Sequence, residues 1–310
     1  MGATKGERWS AQNWKKAISG AAAVALIPLA STSPAHAQVI TADAEPAPAL
    51  VFEQPELLRP ATRETLAFID VFSNLRWSSN ALSVSNFSSG LNLRSEDDIF
   101  WQKGISGVVA RQISPSATVF ARAELSHVDF VQFSQLDYVS LSGLVGASAN
   151  LGPAVAYLSF ECSSERADNN LREYYRACGP RGGLAVVAGD PYTGTGAEFG
   201  MNAFASLGKK LNFARYREIG GYVRLETGTK VRVRLRPSAS IRYYSTPEIL
   251  SFGEGNRRDY SVTAEAALLY RTGRFELGLT AEPRLNWSNF REYRHWDFRV
   301  GPTMRARFGL

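Results

Sequence analysis

Arg232, Arg234 and Arg236 recur at every second position, and Arg242 continues the same parity. Guanidinium is permanently charged and presents a planar fork of donors that fits carboxylate or phosphate. An alternating run of arginines therefore has two uses. It can offer cations to anions along one wall, or it can pair with carboxylates on neighbouring segments. Arg224, Arg284, Arg299 and Arg305 extend the set, and Glu265, Glu276, Glu282 and Asp297 fall among them. The wall arginines, Arg224, Arg232, Arg234, Arg236, Arg242, Arg284, Arg299 and Arg305, are the candidate anion-selectivity residues.

Other chemistry is thinly represented. Three histidines and two cysteines leave no metal-ligand spacing, and no metal or cofactor is expected. No phosphate-cradling, dinucleotide-binding, zinc-protease or nucleophile-elbow motif occurs. His127 and Asp129 share one parity while Ser126 has the other, so a His–Ser pair is missing. His295 shares its parity with Asp297. No catalytic residue is assigned, and the chain reads as a non-enzyme. Cys162 and Cys178 are expected to pair if the chain is exported.

Export is what the first segment implies. Lys15 and Lys16 precede the apolar run Ala17–Ala30, and Ala35-His36-Ala37 is an A-x-A cleavage site before Gln38. Residues 1–37 read as a signal peptide cut between Ala37 and Gln38. Residues 38–62, rich in Pro and Ala, read as a periplasmic lead-in. The apolar run is too short to span a bilayer, and no stretch of 18 apolar residues exists.

The elements that must position the arginines have period two. From residue 63 onward alternation dominates, most plainly at the C-terminus. There Trp296, Phe298, Val300, Pro302, Met304, Ala306, Phe308 and Leu310 oppose His295, Asp297, Arg299, Gly301, Thr303, Arg305, Arg307 and Gly309. These strands exceed the five or six residues usual in soluble sheets. Their polar face carries charge at mid-strand, and their apolar face ends in aromatics such as Tyr260, Tyr270, Phe275 and Trp287. Apolar outside, polar inside and aromatic girdles mark a transmembrane barrel. A soluble sandwich with the faces reversed is the competing reading. The pattern predicts an all-β, antiparallel up-and-down barrel over 63–310. It has about 12 strands, a count of 10 or 14 also being compatible: 64–78, 98–113, 117–130, 137–150, 153–162, 194–207, 210–216, 218–227, 230–244, 258–271, 274–287 and 294–310. Residues 163–193 are expected to be a long outer loop, pinned by Cys162–Cys178 or folded inward as a constriction.

On these residues the chain resembles the bacterial outer-membrane β-barrel class, porin-like, with no particular family within it. Gly301, Met304, Phe308 and the terminal Leu310 are similar to the C-terminal signal read by the barrel-assembly machinery, with Phe two positions before the end rather than last. The resemblance implies location in the outer membrane of a Gram-negative bacterium. It also implies contact with outer-membrane lipid and lipopolysaccharide, and passage of small anionic solutes.

Net charge agrees with the arginine wall rather than with nucleic acid. The whole chain is +6, but residues 38–207 hold 11 Lys+Arg and 18 Asp+Glu, and residues 208–310 hold 20 and 10. One sector of the barrel is thus basic and the other acidic, and no nucleic-acid partner is expected. The leading expectation is a passive channel with an anion-preferring wall. The alternatives are a barrel that assembles or exports surface lipoprotein or polysaccharide, and a lipid-modifying enzyme.

Overall fold

The computed structural model describes residues 65–81, 96–169, 171–189, 196–207, 215–247 and 256–309. The expected signal peptide, its cleavage point at Ala37 and Gln38, the lead-in over 38–62, and Leu310 lie outside these residues.

Twelve strands follow one another: β1 Thr65–Ser78, β2 Asp98–Ser114, β3 Ala117–Phe130, β4 Tyr138–Leu151, β5 Ala154–Ala167, β6 Glu173–Gly189, β7 Gly196–Ala205, β8 Tyr216–Thr227, β9 Val231–Pro247, β10 Asn256–Thr272, β11 Phe275–Ser288 and β12 His295–Gly309. Each pairs antiparallel with its neighbours in sequence, and β12 returns to β1, so the barrel is closed. Closure satisfies every edge, which a sheet surrounded by lipid requires.

Two features set this topology. Short connections sit at one end: Pro115-Ser116, Gly152-Pro153 and Gly273-Arg274 each join two strands in two residues. At the β8–β9 turn Gly228 has φ +95, and a Cβ there would lie 2.0 Å from the Val231 carbonyl oxygen, so only glycine fits. The second feature is the seam. Ladder pairs Asn74↔Thr303 and Trp77↔Val300 flank Gly301-Pro302. A Cβ on Gly301 would fall 1.9 Å from the Leu75 carbonyl oxygen, so β1 and β12 approach closely only because residue 301 is glycine.

The strands are two-faced. Val145, Leu158, Phe199, Ile219, Leu268 and Leu279 are exposed on the outside, while Asp70, Arg122, Glu161, Arg181, Glu198 and Glu226 are buried inside. Exposed aromatics form two belts, Tyr243, Tyr260, Trp287 and Trp296 towards one end and Tyr270, Phe275 and Phe308 towards the other. The ten residue steps from Tyr260 to Tyr270 cover about 33 Å of strand, or about 25 Å along the axis of a barrel with the usual tilt. That is the height of the apolar band of a lipid-bounded barrel, and the soluble reading, with its charged face outside, does not fit.

Two expected segments are corrected. The loop placed over 163–193 contains the last five residues of β5 and all of β6. Gly179-Pro180 and Gly182-Gly183 read as turn residues, yet a Cβ on Gly179 would meet the Ala205 carbonyl oxygen at 1.8 Å. A Cβ on Gly183 would meet the Met201 carbonyl oxygen at 2.3 Å, so Gly179 and Gly183 are glycine because neighbouring backbone crowds them. The strand placed at 210–216 is not one of the twelve. Residues 210–214 lie outside the described residues, Arg215 is not in a strand, and Tyr216 opens β8. The number twelve stands because one missed strand offsets one surplus strand.

Candidate functional site

Inward positions of β8 to β12 and β1 build one continuous charged wall. The β9 column stands at its centre because alternation points Arg232, Arg234, Arg236 and Arg242 to the same face. Each reaches a carboxylate. Arg232 Nη2 contacts Glu226 at 2.5 Å and Glu276 at 3.2 Å. Arg234 Nη2 lies 2.8 Å from Glu265 Oε1, and Arg236 Nη2 lies 3.1 Å from Glu265 Oε2. Arg242 Nη2 lies 2.5 Å from Glu218, and its guanidinium stacks 4.4 Å from the Tyr216 ring centroid.

The remaining candidates follow the same rule. Arg224 donates to Glu226 at 2.8 Å, Arg284 to Glu282 at 3.0 Å and Arg299 to Asp297 at 2.6 Å. Arg305 is half-buried and faces inward. Its ladder partner is Glu276, whose carboxylate reaches across to Arg232 instead. Arginines outside the candidate set also pair with carboxylates inside the barrel. Arg76 pairs with Glu282 at 3.2 Å, and Arg307 with Asp70 at 2.9 Å. Arg181 pairs with Glu161 at 2.8 Å, and Arg257 with Asp259 at 2.6 Å. Arg181 was hidden by the misread loop. Arg257 shares its parity with Asp259 at the head of β10, which is the signal that could have found it.

The rest of the interior is packed. Phe68, Val108, Ala110, Phe120, Leu144, Val155, Tyr157, Ala185 and Tyr222 form an inward apolar cluster on the β1–β8 side. Near the opposite end, Tyr175, Ala177, Phe204, Tyr216 and Tyr244 form a second cluster. Arg257 stacks 3.4 Å from the Tyr293 centroid and 4.6 Å from that of Tyr244. Between these fillings, Asn74, Arg76, Arg234, Arg236, Ser238, Thr263, Arg284, Arg299, Thr303 and Arg305 stay half-buried on β9–β12 and β1. On those strands inward guanidiniums outnumber carboxylates. On β2–β8 the order reverses, with Arg122, Arg181 and Arg224 against Glu124, Glu161, Glu165, Glu198, Glu218 and Glu226. The sectoral charge imbalance of the sequence is thus a property of the inward faces.

Cys162 and Cys178 are joined, with Cα atoms 4.1 Å apart, as directly opposed residues of β5 and β6 on the outer face. The link ties two strands and pins no inward loop. Arg166 and Arg176 point outward beside Glu173, and Tyr175 is buried, so these residues form no constriction. Met304 and Phe308 are exposed on the outer face of β12, and Gly301 faces inward at the seam.

The two described histidines are on opposite faces. His127 lies outward, its Nδ1 3.2 Å from Asp129 and its Nε2 3.2 Å from Asp168, with Lys103 Nζ 2.8 Å from Asp129. His295 is half-buried on β12. In the adjoining loop, burial raises the Asp137 carboxyl to about 6, with Asp129 and Asp168 adding to the rise. The Phe130 N–H, donating to Oδ1 at 2.7 Å, and His127 oppose it. Among the described residues no group of three or more His, Cys, Asp or Glu is arranged to hold a metal ion.

No protein-family model matches the chain, and no curated protein does. Solved structures align with it at low identity. The translocator domain of the autotransporter NalP from Neisseria meningitidis aligns over 84% of this chain and 96% of its own, at 11% identity and a TM-score of 0.37. An outer-membrane channel from Pseudomonas putida F1 aligns over 78% and 96%, at 12% identity and a TM-score of 0.41. An anion-selective porin from Comamonas acidovorans aligns over 79% and 99%, at 8% identity and a TM-score of 0.36. These superpositions are loose. What makes the chain a closed membrane-type barrel is its own strand ladder, its outward apolar band and its inward charge.

Proposed function

We propose that the chain is an outer-membrane barrel of a Gram-negative bacterium that passes small anionic solutes along a narrow path. The observation carrying this reading is the half-buried inward surface of β9–β12 and β1, where guanidiniums outnumber carboxylates. Lining charge sets which ions a pore favours. The apolar cluster and the Tyr–Arg stack fill the remaining cross-section, so the path is small and its conductance low.

Planar-bilayer recording of the refolded chain tests this. The expected result is small steps with chloride preferred over potassium, and a preference that falls in Arg234→Ser/Arg236→Ser. Cation preference, or no steps from protein that migrates as a compact folded band, would sink it.

The same fillings favour a second reading, a barrel without solute flux that serves assembly or export of a surface molecule. Absence of conductance together with co-purification of a surface lipoprotein or polysaccharide apparatus would select it. The exposed Met304 and Phe308 on β12 are the residues the barrel-assembly machinery would read on either account.

A further inference from the structure

The outward cations divide into two kinds. On the β2–β6 side Lys103 is matched by Asp129 at 2.8 Å and Arg176 by Glu173 at 2.5 Å, while the exposed Arg111 stands at the other end of β2, opposite Thr65. On the β8–β11 side the cations are not matched. Arg217 of β8, Tyr243 of β9 and Arg258 of β10 occupy one register row, since Tyr243 is the ladder partner of both arginines. All three are exposed, and neither guanidinium has a carboxylate partner among the described residues. Arg258 lies 5.9 Å from the Tyr243 ring centroid. One connection further on, Arg294 sits 4.2 Å over the Trp287 ring and donates from Nε to the Ser288 carbonyl oxygen at 2.6 Å.

The level of this row matters. Arg258 is two residues beyond Tyr260 of the aromatic belt, about 7 Å further along the strand. Aromatic belts sit at the headgroup boundary, so the arginines project just past the hydrocarbon. Arg217 and Arg258 are separated by one strand, a spacing of about 10 Å, which two long side chains can close onto one headgroup. The chemistry that answers unpaired, outward guanidiniums at that depth is phosphate, which accepts bidentate donation.

We propose that the Arg217–Tyr243–Arg258 row, flanked by Arg294 on Trp287, binds the phosphate groups of a phosphorylated glycolipid headgroup in the leaflet at that end of the barrel. This rests on the outer-membrane reading. Inward arginines hold the wall together, and these outward arginines seat the barrel among its lipids.

Native mass spectrometry of the refolded full chain in detergent tests the proposal. The probes are diphosphorylated lipid A, its dephosphorylated form, and inorganic phosphate as competitor. Lipid A should be retained, and the dephosphorylated form should bind at least about tenfold more weakly, as expected for loss of a charged hydrogen bond. Arg217→Gln/Arg258→Gln should show a similar loss, and Arg176→Gln should not. Equal retention of both lipids, or undiminished binding by the double variant, would overturn the proposal. Full displacement by millimolar inorganic phosphate would also overturn it, because the site would then be one for free phosphate. Failure of the outer-membrane reading would look different: the chain would show no compact, heat-modifiable band and would not insert into bilayers.

Discussion

Glu265→Gln separates a wall held by ion pairs from one merely lined with charge. Glu265 is 9% exposed and faces Arg234 and Arg236 at 2.8 Å and 3.1 Å. At an effective dielectric of 20 and charge centres about 4 Å apart, each pair gains about 4 kcal/mol of Coulomb energy, much of it offset by desolvation. Removing one partner of a buried pair typically costs about 3–5 kcal/mol. Here the two arginine side chains keep 17% and 23% of their surface, so some rehydration lowers the expected loss to about 2–3 kcal/mol. Glutamine keeps one acceptor for Arg234 but can present an amide N–H to Arg236, which has nothing to accept it. The assay is the temperature at which the compact gel band converts to the unfolded one. At roughly 2–4 °C per kcal/mol, the midpoint should fall by about 5–10 °C. In bilayers the same variant should prefer chloride more strongly than the parent. That gain should shrink between 0.1 M and 1 M salt, as the screening length drops from about 10 Å to about 3 Å. An unchanged midpoint with unchanged selectivity would refute the pairing of Glu265 with the β9 column.

Three further outcomes follow from other parts of the barrel. Gly301→Ala places a methyl 1.9 Å from the Leu75 carbonyl oxygen and should weaken the β1–β12 seam by about 1–3 kcal/mol or more. This would be read as a smaller compact fraction on refolding, and a normal yield would deny the close approach. Cys162→Ser/Cys178→Ser opens a link of sequence separation 16, worth up to about 3 kcal/mol in the chain-entropy account. The compact band should survive at room temperature but melt earlier, matching the parent in reductant, and insensitivity of the parent to reductant would argue against the link. Asp137 titrates near 6 when folded against 3.8 in the free group. Its neutral form is therefore the one the fold prefers, and its contribution is fully present below pH 3.8 and lost as pH rises through 6. Hydrogen exchange of the Leu136 and Asp137 amides, corrected for intrinsic rates, should show falling protection from pH 5 to pH 7. Asp137→Asn should flatten that profile, and identical profiles would show that Asp137 does not govern the loop.

Much of the barrel is legible in the sequence because side-chain parity is a local property. Alternation alone assigns Arg232, Arg234, Arg236 and Arg242 to one face, with Val231, Val233 and Leu235 on the other. Long strands with aromatic ends point to lipid outside. Where local signals mislead, they do so for a physical reason. Gly179, Pro180, Gly182 and Gly183 have turn composition, but close approach of neighbouring backbone requires glycine at 179 and 183 inside β6. Likewise, alternation cannot tell a long loop from a strand interrupted by glycine.

What the tertiary structure alone decides is who faces whom. Pairing depends on register between strands, and register is set by turns and closure rather than by any single strand's pattern. Only the ladder brings Glu265 opposite Arg236, sends Glu276 to Arg232 rather than to Arg305, and sets Cys162 against Cys178 on the outer face. Only closure shows that Phe68, Phe120, Leu144 and Tyr222, far apart in the chain, meet inside and fill part of the lumen. The sequence by itself determined a two-faced barrel with an arginine-rich sector. The arginines became a paired wall beside a packed interior only when the sheet closed, because ion pairs and cavities are properties of spatial neighbours.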